Sequence, residues 1–487
     1  MITSETIKNA VYNLCVEANT VLTDSVFSAI LNAYKNETNS DAKQALQLIL
    51  KNAKMSYETK KPLCQDTGQV LVFVKIGEKV QVENLNQSIN DGVSKVYDDN
   101  FYRKSVVKNA LFNRENTKTN VPCIIYPEIV EGDELEIEVL IKGAGAENMS
   151  TTSMLSPTAS EEEIIEYVKS VVEKSGAKAC PPLFIGVGIG GTMEYAGLLS
   201  KKALLCEDGT DDVGLVNPTY YTNQRFDLAQ KIKKSINNLR IGTAGLGGDF
   251  TALDVKILTD FTHIASMPVA VTINCHSSRH SKCLIRSTPH PNSLPQGARE
   301  QRAYFYPQLL IKNYTPEAED FSNFVKVDAS DISGLRALKI GQNILLSGEI
   351  FTARDIAHKK IIEIIKNGGK LPFDLRDKII FYAGPCPCPL GEVIGSVGPT
   401  TSSRMDKFAP DLYRAGILAT IGKGERSEEV LKAVKKARGL YFTVIGGIAC
   451  YLSEKVIENE VIAFEELGTE AVRRLIVRDL PLRVDYC

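Results

Sequence analysis

The sequence predicts a two-domain α/β protein, and three observations predict it. The chain has 487 residues, more than a single hydrophobic core ordinarily organises. In the first half, apolar residues recur at helical spacing and then at strand spacing. From about residue 329, predicted strands alternate with helices, which marks a separate α/β unit. The predicted division is an N-terminal α/β domain over 1–285, a connecting segment over 286–328 and a C-terminal domain over 329–487.

The elements follow in order. Ile7, Ala10, Val11, Leu14 and Ala18 predict one helix. Ala42, Ala45, Leu46, Ile49, Leu50 and Ala53 predict another. Val70 to Lys75 reads as a strand. Leu135, Ile137, Val139 and Ile141 alternate as a half-buried strand that stops at Lys142-Gly143-Ala144-Gly145. Ser160 with Glu163 is a capping-box pair that predicts a helix through Lys174, with Gly176 as its stop. Ser287-Thr288-Pro289-His290-Pro291-Asn292 opens the turn-rich connecting segment. Beyond it the sequence predicts strands at 344–346, 379–382, 418–421 and 441–445, and helices over 352–366 and 428–437. There is no internal repeat and no low-complexity tract.

Composition excludes several classes. A net charge of -2 gives no general attraction to nucleic acid. The first residues carry an early acid and no apolar core, so no signal peptide is predicted. No run of about 18 apolar residues predicts a membrane span. Eleven cysteines, an odd number without regular spacing, argue for reduced thiols in a cytoplasmic enzyme rather than a disulfide scaffold.

Three of those cysteines stand beside proline or polar turn residues: Cys64 in Pro62-Leu63-Cys64-Gln65-Asp66-Thr67-Gly68, Cys180 before Pro181-Pro182, and Cys275 in Asn274-Cys275-His276. Such positions can face a cavity, with Gln65, His276, Arg279 and His280 near in sequence as donors. The separations of 116 and 95 residues are too long for a local metal motif. Spacing alone therefore leaves both a shared metal group and three separate thiols open. Cys15, Cys206 and Cys450 lie in apolar runs and read as core. Cys123, Cys283, Cys386 and Cys388 read as structural, and His263 and His290 as surface or packing residues. Gly186-x-Gly188-x-x-Gly191 matches a dinucleotide-binding fingerprint, but Glu207 and Asp208, at the right distance for the ribose acid, sit in an acidic turn. A tight glycine turn is the better reading. Arg354, Arg404 and Lys423 sit among small residues, as loop cations facing a cleft would.

These motifs resemble those of the class I, iron–sulfur-dependent fumarate hydratases and the related tartrate dehydratases. The residues carrying the resemblance are Pro62 to Gly68, Lys142 to Asn148, Gly186 to Thr192, Ala353 to His358 and Gly398 to Asp406. It extends over about residues 20 to 450, in family order. In Lys142 to Asn148, alanine takes two small positions of the family's Lys-Gly-Gly-Gly-Ser-Glu-Asn. The fused format also departs from many relatives, which are split into two subunits. The resemblance implies an N-terminal domain binding a 4Fe–4S cluster through Cys64, Cys180 and Cys275, and a C-terminal swivelling β/β/α domain. It implies substrate binding by Gln65, Arg103, Gly143, Arg354, Arg404 and Lys423, and acid–base work by Thr400 and Asp66. The implied reaction is reversible hydration of fumarate to (S)-malate by a homodimer. L(+)-tartrate dehydration and a catalytically silent iron or redox sensor are the alternatives.

Overall fold

A computed structural model describes residues 1–206, 222–289 and 299–487. Glu207, Asp208, His290 and the Pro291-Asn292 part of the turn-rich stretch lie outside the described residues. The first three helices are Ser4–Thr20, Asp24–Asn36 and Ser40–Thr59. Each starts on a side-chain cap: Thr3, Thr23 and Asn39 accept from the backbone N–H groups of Thr6, Val26 and Ala42. The helical-spaced apolar residues named above are all buried. The helix Glu161–Ser175 begins on the Ser160–Glu163 capping box and ends at Gly176, as its sequence predicts.

Two sheets build the N-terminal part. One has the order Ile124–Val130, Gln69–Gly77, Leu135–Lys142, His280–Pro289, Arg299–Phe305. The other has the order Thr151–Leu155, Met267–Asn274, Leu183–Gly191, Ala252–Thr262. Part of the segment predicted to connect the domains thus belongs to the first sheet, because Arg299–Phe305 pairs antiparallel with His280–Pro289. The glycine fingerprint serves packing. A Cβ at Gly186 would lie 2.0 Å from the Ser200 carbonyl oxygen, and one at Gly188 would lie 2.1 Å from that of Ala196. The two glycines let the helix Met193–Ala203 press against the strand.

The C-terminal sheet runs Val325–Asp328, Asn343–Thr352, Ile379–Phe381, Ala419–Gly422, Leu440–Thr443, Val472–Tyr486, Val456–Ala463. Its first five strands are parallel neighbours. Val472–Tyr486 pairs antiparallel with both Leu440–Thr443 and Asn343–Thr352, so the pairing closes on itself. The helices Asp355–Lys366, Ala409–Arg414 and Glu428–Ala437 follow strands or turns of this ring. Strands and helices mix in this part, as the expected α/β domain requires.

The two parts share one core. Phe27, Ile30, Leu46 and Ile49 of the first helices join Ile344, Phe381, Ile421 and Leu482 in a single apolar cluster. The stretch from 306 to 324 runs along the N-terminal helices. Asp24 accepts from the N–H groups of Leu309 and Leu310. Gln44 and Gln47 donate to the carbonyls of Asp320 and Ala318. Lys54 reaches the carbonyl of Lys312 at 2.9 Å.

Candidate active site

The three turn cysteines all lie beside strand ends facing the seam between the domains. Cys64 precedes Gln69–Gly77, Cys180 precedes Leu183–Gly191, and Cys275 follows Met267–Asn274. Cys180 has a positive φ of 58°, and the Ala244 N–H holds the Pro181 carbonyl at 2.8 Å. The Cys275 sulfur lies 3.0 Å from the Ser277 hydroxyl. One ammonium bonds Cys180 and feels the other two. Lys423 Nζ donates to Cys180 Sγ at 2.6 Å. Burial works against its charge, but Cys180, Cys64 and Cys275 together raise the Lys423 pKa. Burial pushes the Cys64 thiol up to about 11, while Arg279 pulls it down and Cys275 adds to the rise. Burial likewise raises Cys180, opposed by Lys423.

Asp66, two residues after Cys64, is held from three sides. Its Oδ1 faces Arg103 Nη2 at 3.0 Å and accepts from the Gly68 N–H, and its Oδ2 accepts from the Ala144 N–H at 2.9 Å. Burial alone would raise its pKa. Arg103, Arg279, the Ala144 N–H and Arg354 overcome that and hold it at about 2. Such a carboxylate stays ionised at neutral pH in this state. Gly143 leaves room here, since a Cβ on it would lie 3.2 Å from Arg279 Nη2 and 3.4 Å from Asp66 Oδ2.

The C-terminal domain closes the other side. Gln65 Nε2 donates to the Pro399 carbonyl at 3.2 Å, and Arg103 Nη1 to that of Gly384 at 3.1 Å. Thr400 is buried; its N–H meets the Tyr382 carbonyl at 2.6 Å. The next residue, Thr401, bridges to Lys423, so the Thr400 turn and Lys423 run side by side. Arg354 is nearly buried. Its Nη2 meets Glu470 Oε1 at 2.8 Å, while its Nε, 3.3 Å from Asp355, has no hydrogen bond. Burial and then neighbouring Arg103 lower the Arg354 pKa, as expected of two cations sharing a place for an anion. Arg404 stands apart. It is exposed, and its guanidinium grips both oxygens of Asp355. The Gly446-Gly447 turn completes the wall. A Cβ at Gly446 would lie 2.4 Å from Cys180 Sγ, and one at Gly447, with φ +82°, 2.4 Å from His276 Nε2. A cavity of about 60 Å³ at the seam is lined by Cys180, Lys423 and Gly446 and bounded by Asp41 and Arg483.

Among the described residues, no three His, Cys, Asp or Glu side chains converge closely enough to hold a single metal ion. Three thiols set around a common ammonium, with Arg279 near Cys64 and buried Lys142 near Cys275, suit a larger, anionic, multi-iron group. The residues present fit that group.

Comparison with known proteins agrees over nearly the whole chain. Residues 8–283 match the family described as Fumarate hydratase (Fumerase). Residues 298–485 match that described as Fumarase C-terminus. The chain belongs to the class I fumarate hydratase family. It is a hydro-lyase. Among relatives within the family, "Fumarate hydratase class I, anaerobic" of Escherichia coli is 30% identical, covering 91% of this chain and 80% of its own. "Fumarate hydratase 1, mitochondrial" of Leishmania major is also 30% identical, covering 91% and 81%. "Putative L(+)-tartrate dehydratase subunit alpha" of Methanocaldococcus jannaschii is 38% identical over 56% of this chain and 96% of its own.

For this fumarate hydratase family member, the structure brings Cys64, Cys180, Cys275, Gln65, Asp66, Arg103, Gly143 and Lys423 to one place, with Thr400 and Arg354 on the facing wall. Arg404 lies at the rim. Sequence reading gave no site role to Lys142, Glu470 or Asp355. Lys142 is buried, and burial brings its pKa down to about 8 against the pull of Glu147. Its position at the end of an alternating strand was the available signal. Glu470 and Asp355 had none, because each matters only through the arginine it meets. Cys386, read as structural, is buried with its sulfur 3.5 Å from the Gln65 carbonyl, and His263 is exposed.

Proposed function

We propose that this chain catalyses the reversible hydration of fumarate to (S)-malate, with Cys64, Cys180 and Cys275 holding a 4Fe–4S cluster. The observation that carries the reading is the Lys423 ammonium bonded to Cys180 and within electrostatic reach of Cys64 and Cys275, with a second cationic centre at Arg103 and Arg354. When bound, a cluster on three thiolates supplies a Lewis-acidic iron with one open position. The remaining work belongs to the chain. Arg354 and Arg103 pair with a substrate carboxylate, and their mutual repulsion strengthens their call for an anion. Lys423 balances the charge of the thiolates and attracts a second carboxylate. Gln65 orients the substrate from the turn after Cys64. Thr400 handles the proton at C3; the Tyr382 carbonyl holds its backbone N–H. Asp66, with both oxygens engaged, fixes Arg103. Arg404 aligns Asp355 and, through it, Arg354.

The stronger identity to a relative named as a tartrate dehydratase subunit favours a second reading, L(+)-tartrate dehydration, at the same site. A homodimer, implied by the family, is part of the proposal and is tested by its mass in solution. The deciding experiment is anaerobic reconstitution with iron and sulfide. About four irons per chain are expected, with turnover of fumarate and (S)-malate faster than of tartrate. Faster tartrate turnover selects the second reading. Full activity in colourless, chelator-treated protein overturns the cluster assignment.

A further inference from the structure

We propose that His358 is a positioning residue that couples the Arg354 anion site to the Thr400 turn. The proposal rests on the reading of Arg354 and Thr400 as substrate-facing groups.

His358 lies in the first turn of the helix Asp355–Lys366, and its backbone N–H donates to the Arg354 carbonyl at 2.9 Å. Its imidazole is 0% exposed. The ring packs edge-on to Tyr382, centroids 5.2 Å apart at 71°, and against Phe408 at 6.0 Å and 24°. Neither ring nitrogen has a hydrogen-bond partner. An apolar side chain in this aromatic slot would avoid that loss, so packing does not account for a histidine here. Its neighbours do. Tyr382 is the residue whose carbonyl holds the Thr400 N–H. Phe408 closes the end of the turn that carries Arg404, its N–H on the Met405 carbonyl at 2.9 Å. Arg426 covers the Tyr382 ring at 5.3 Å and holds Asp406 at 2.8 Å, again with one buried nitrogen, Nη2, unpartnered.

The imidazole therefore sits on the helix start that presents Arg354 and on the ring of Tyr382, the residue whose backbone carbonyl anchors Thr400. The Arg354 carbonyl favours a proton on the ring, while burial, the larger effect, keeps the ring neutral. A neutral ring carries one N–H and one lone pair; the Arg354 carbonyl draws on the N–H without a full hydrogen bond, and the lone pair has no partner in this state. They are free to bond as Arg354 and the Thr400 turn close on a dicarboxylate.

Two variants test this, His358→Phe and His358→Gln, each reconstituted as the full chain. For His358→Phe we expect unchanged iron content and an unchanged or higher Tm. Its kcat/KM for (S)-malate should fall about 10-fold or more, mostly through KM. His358→Gln, which keeps a donor and an acceptor, should recover most of that loss. A His358→Phe protein within two-fold of wild-type kcat/KM overturns the proposal. So does one whose Tm falls in step with activity, since that is a packing effect. A wild type that turns over neither fumarate, malate nor tartrate overturns the functional reading instead.

Discussion

The contact between Lys423 and Cys180 shows how one residue pair carries the charge logic of the site. A half-buried ammonium and the thiols near it stabilise each other's ionised forms, so removing either side changes the other. Cys64→Ser, Cys180→Ser and Cys275→Ser should each lose iron, because a hydroxyl is a poor substitute for thiolate on iron. Cys386→Ser should keep it, since a serine hydroxyl can still donate to the Gln65 carbonyl. Iron analysis of the four purified variants checks this, and iron loss confined to Cys386→Ser would displace the assigned ligands. Lys423→Met should retain iron yet lower kcat/KM by on the order of 10²-fold, the size of a lost charge-assisted contact in a closed site. Near-normal turnover would remove Lys423 from the substrate's reach. The cysteines and Lys423 were legible in the sequence because each sits in a distinctive turn. The state of Asp66 was not, because Ala144 and Arg103, which set it, lie 78 and 37 residues away. The Arg404 contact was illegible for the same reason: its partner Asp355 is 49 residues distant.

Among elements, the turns are less tolerant than the helices. Gly447 combines a positive φ with a close approach to His276 across the seam. Gly447→Ala should cost about 1–3 kcal/mol in urea unfolding, from backbone strain and overpacking. An unchanged midpoint would show that the seam can relax there. The N-terminal helices and the strand Leu135–Lys142 were readable because their burial follows 3.6- and 2-residue periods. The strand Val472–Tyr486 was not. It carries Arg473, Arg474, Arg478 and Asp479 and has Pro481 within it, all of which weaken a strand pattern. It forms because two distant strands pair with it and close the ring, information that no local window contains.

For the molecule as a whole, the shared core and three buried imidazoles set the response to acid. His276, His280 and His358 are each held at about 4, burial being the main cause. The unfolded chain protonates them near 6.5, so between these values it binds more protons than the folded protein. Their contribution to stability is complete above about pH 6.5 and is lost as pH falls toward 4. Tm should drop from pH 7 to pH 5, and His358→Phe should flatten that slope; an identical slope would remove His358 from this group. The stretch from 306 to 324, pinned along the first helices, has a consequence for the covalent connection itself. Because side-chain and backbone bonds already fasten it to the N-terminal half, the peptide link acts mainly as a tether that sets a local concentration, typically about millimolar for short linkers. A chain interrupted within 290–298 should therefore reassemble from its two pieces. Unlike the intact chain, the reassembled enzyme should lose activity on dilution, at a protein concentration that directly measures the affinity of one half for the other.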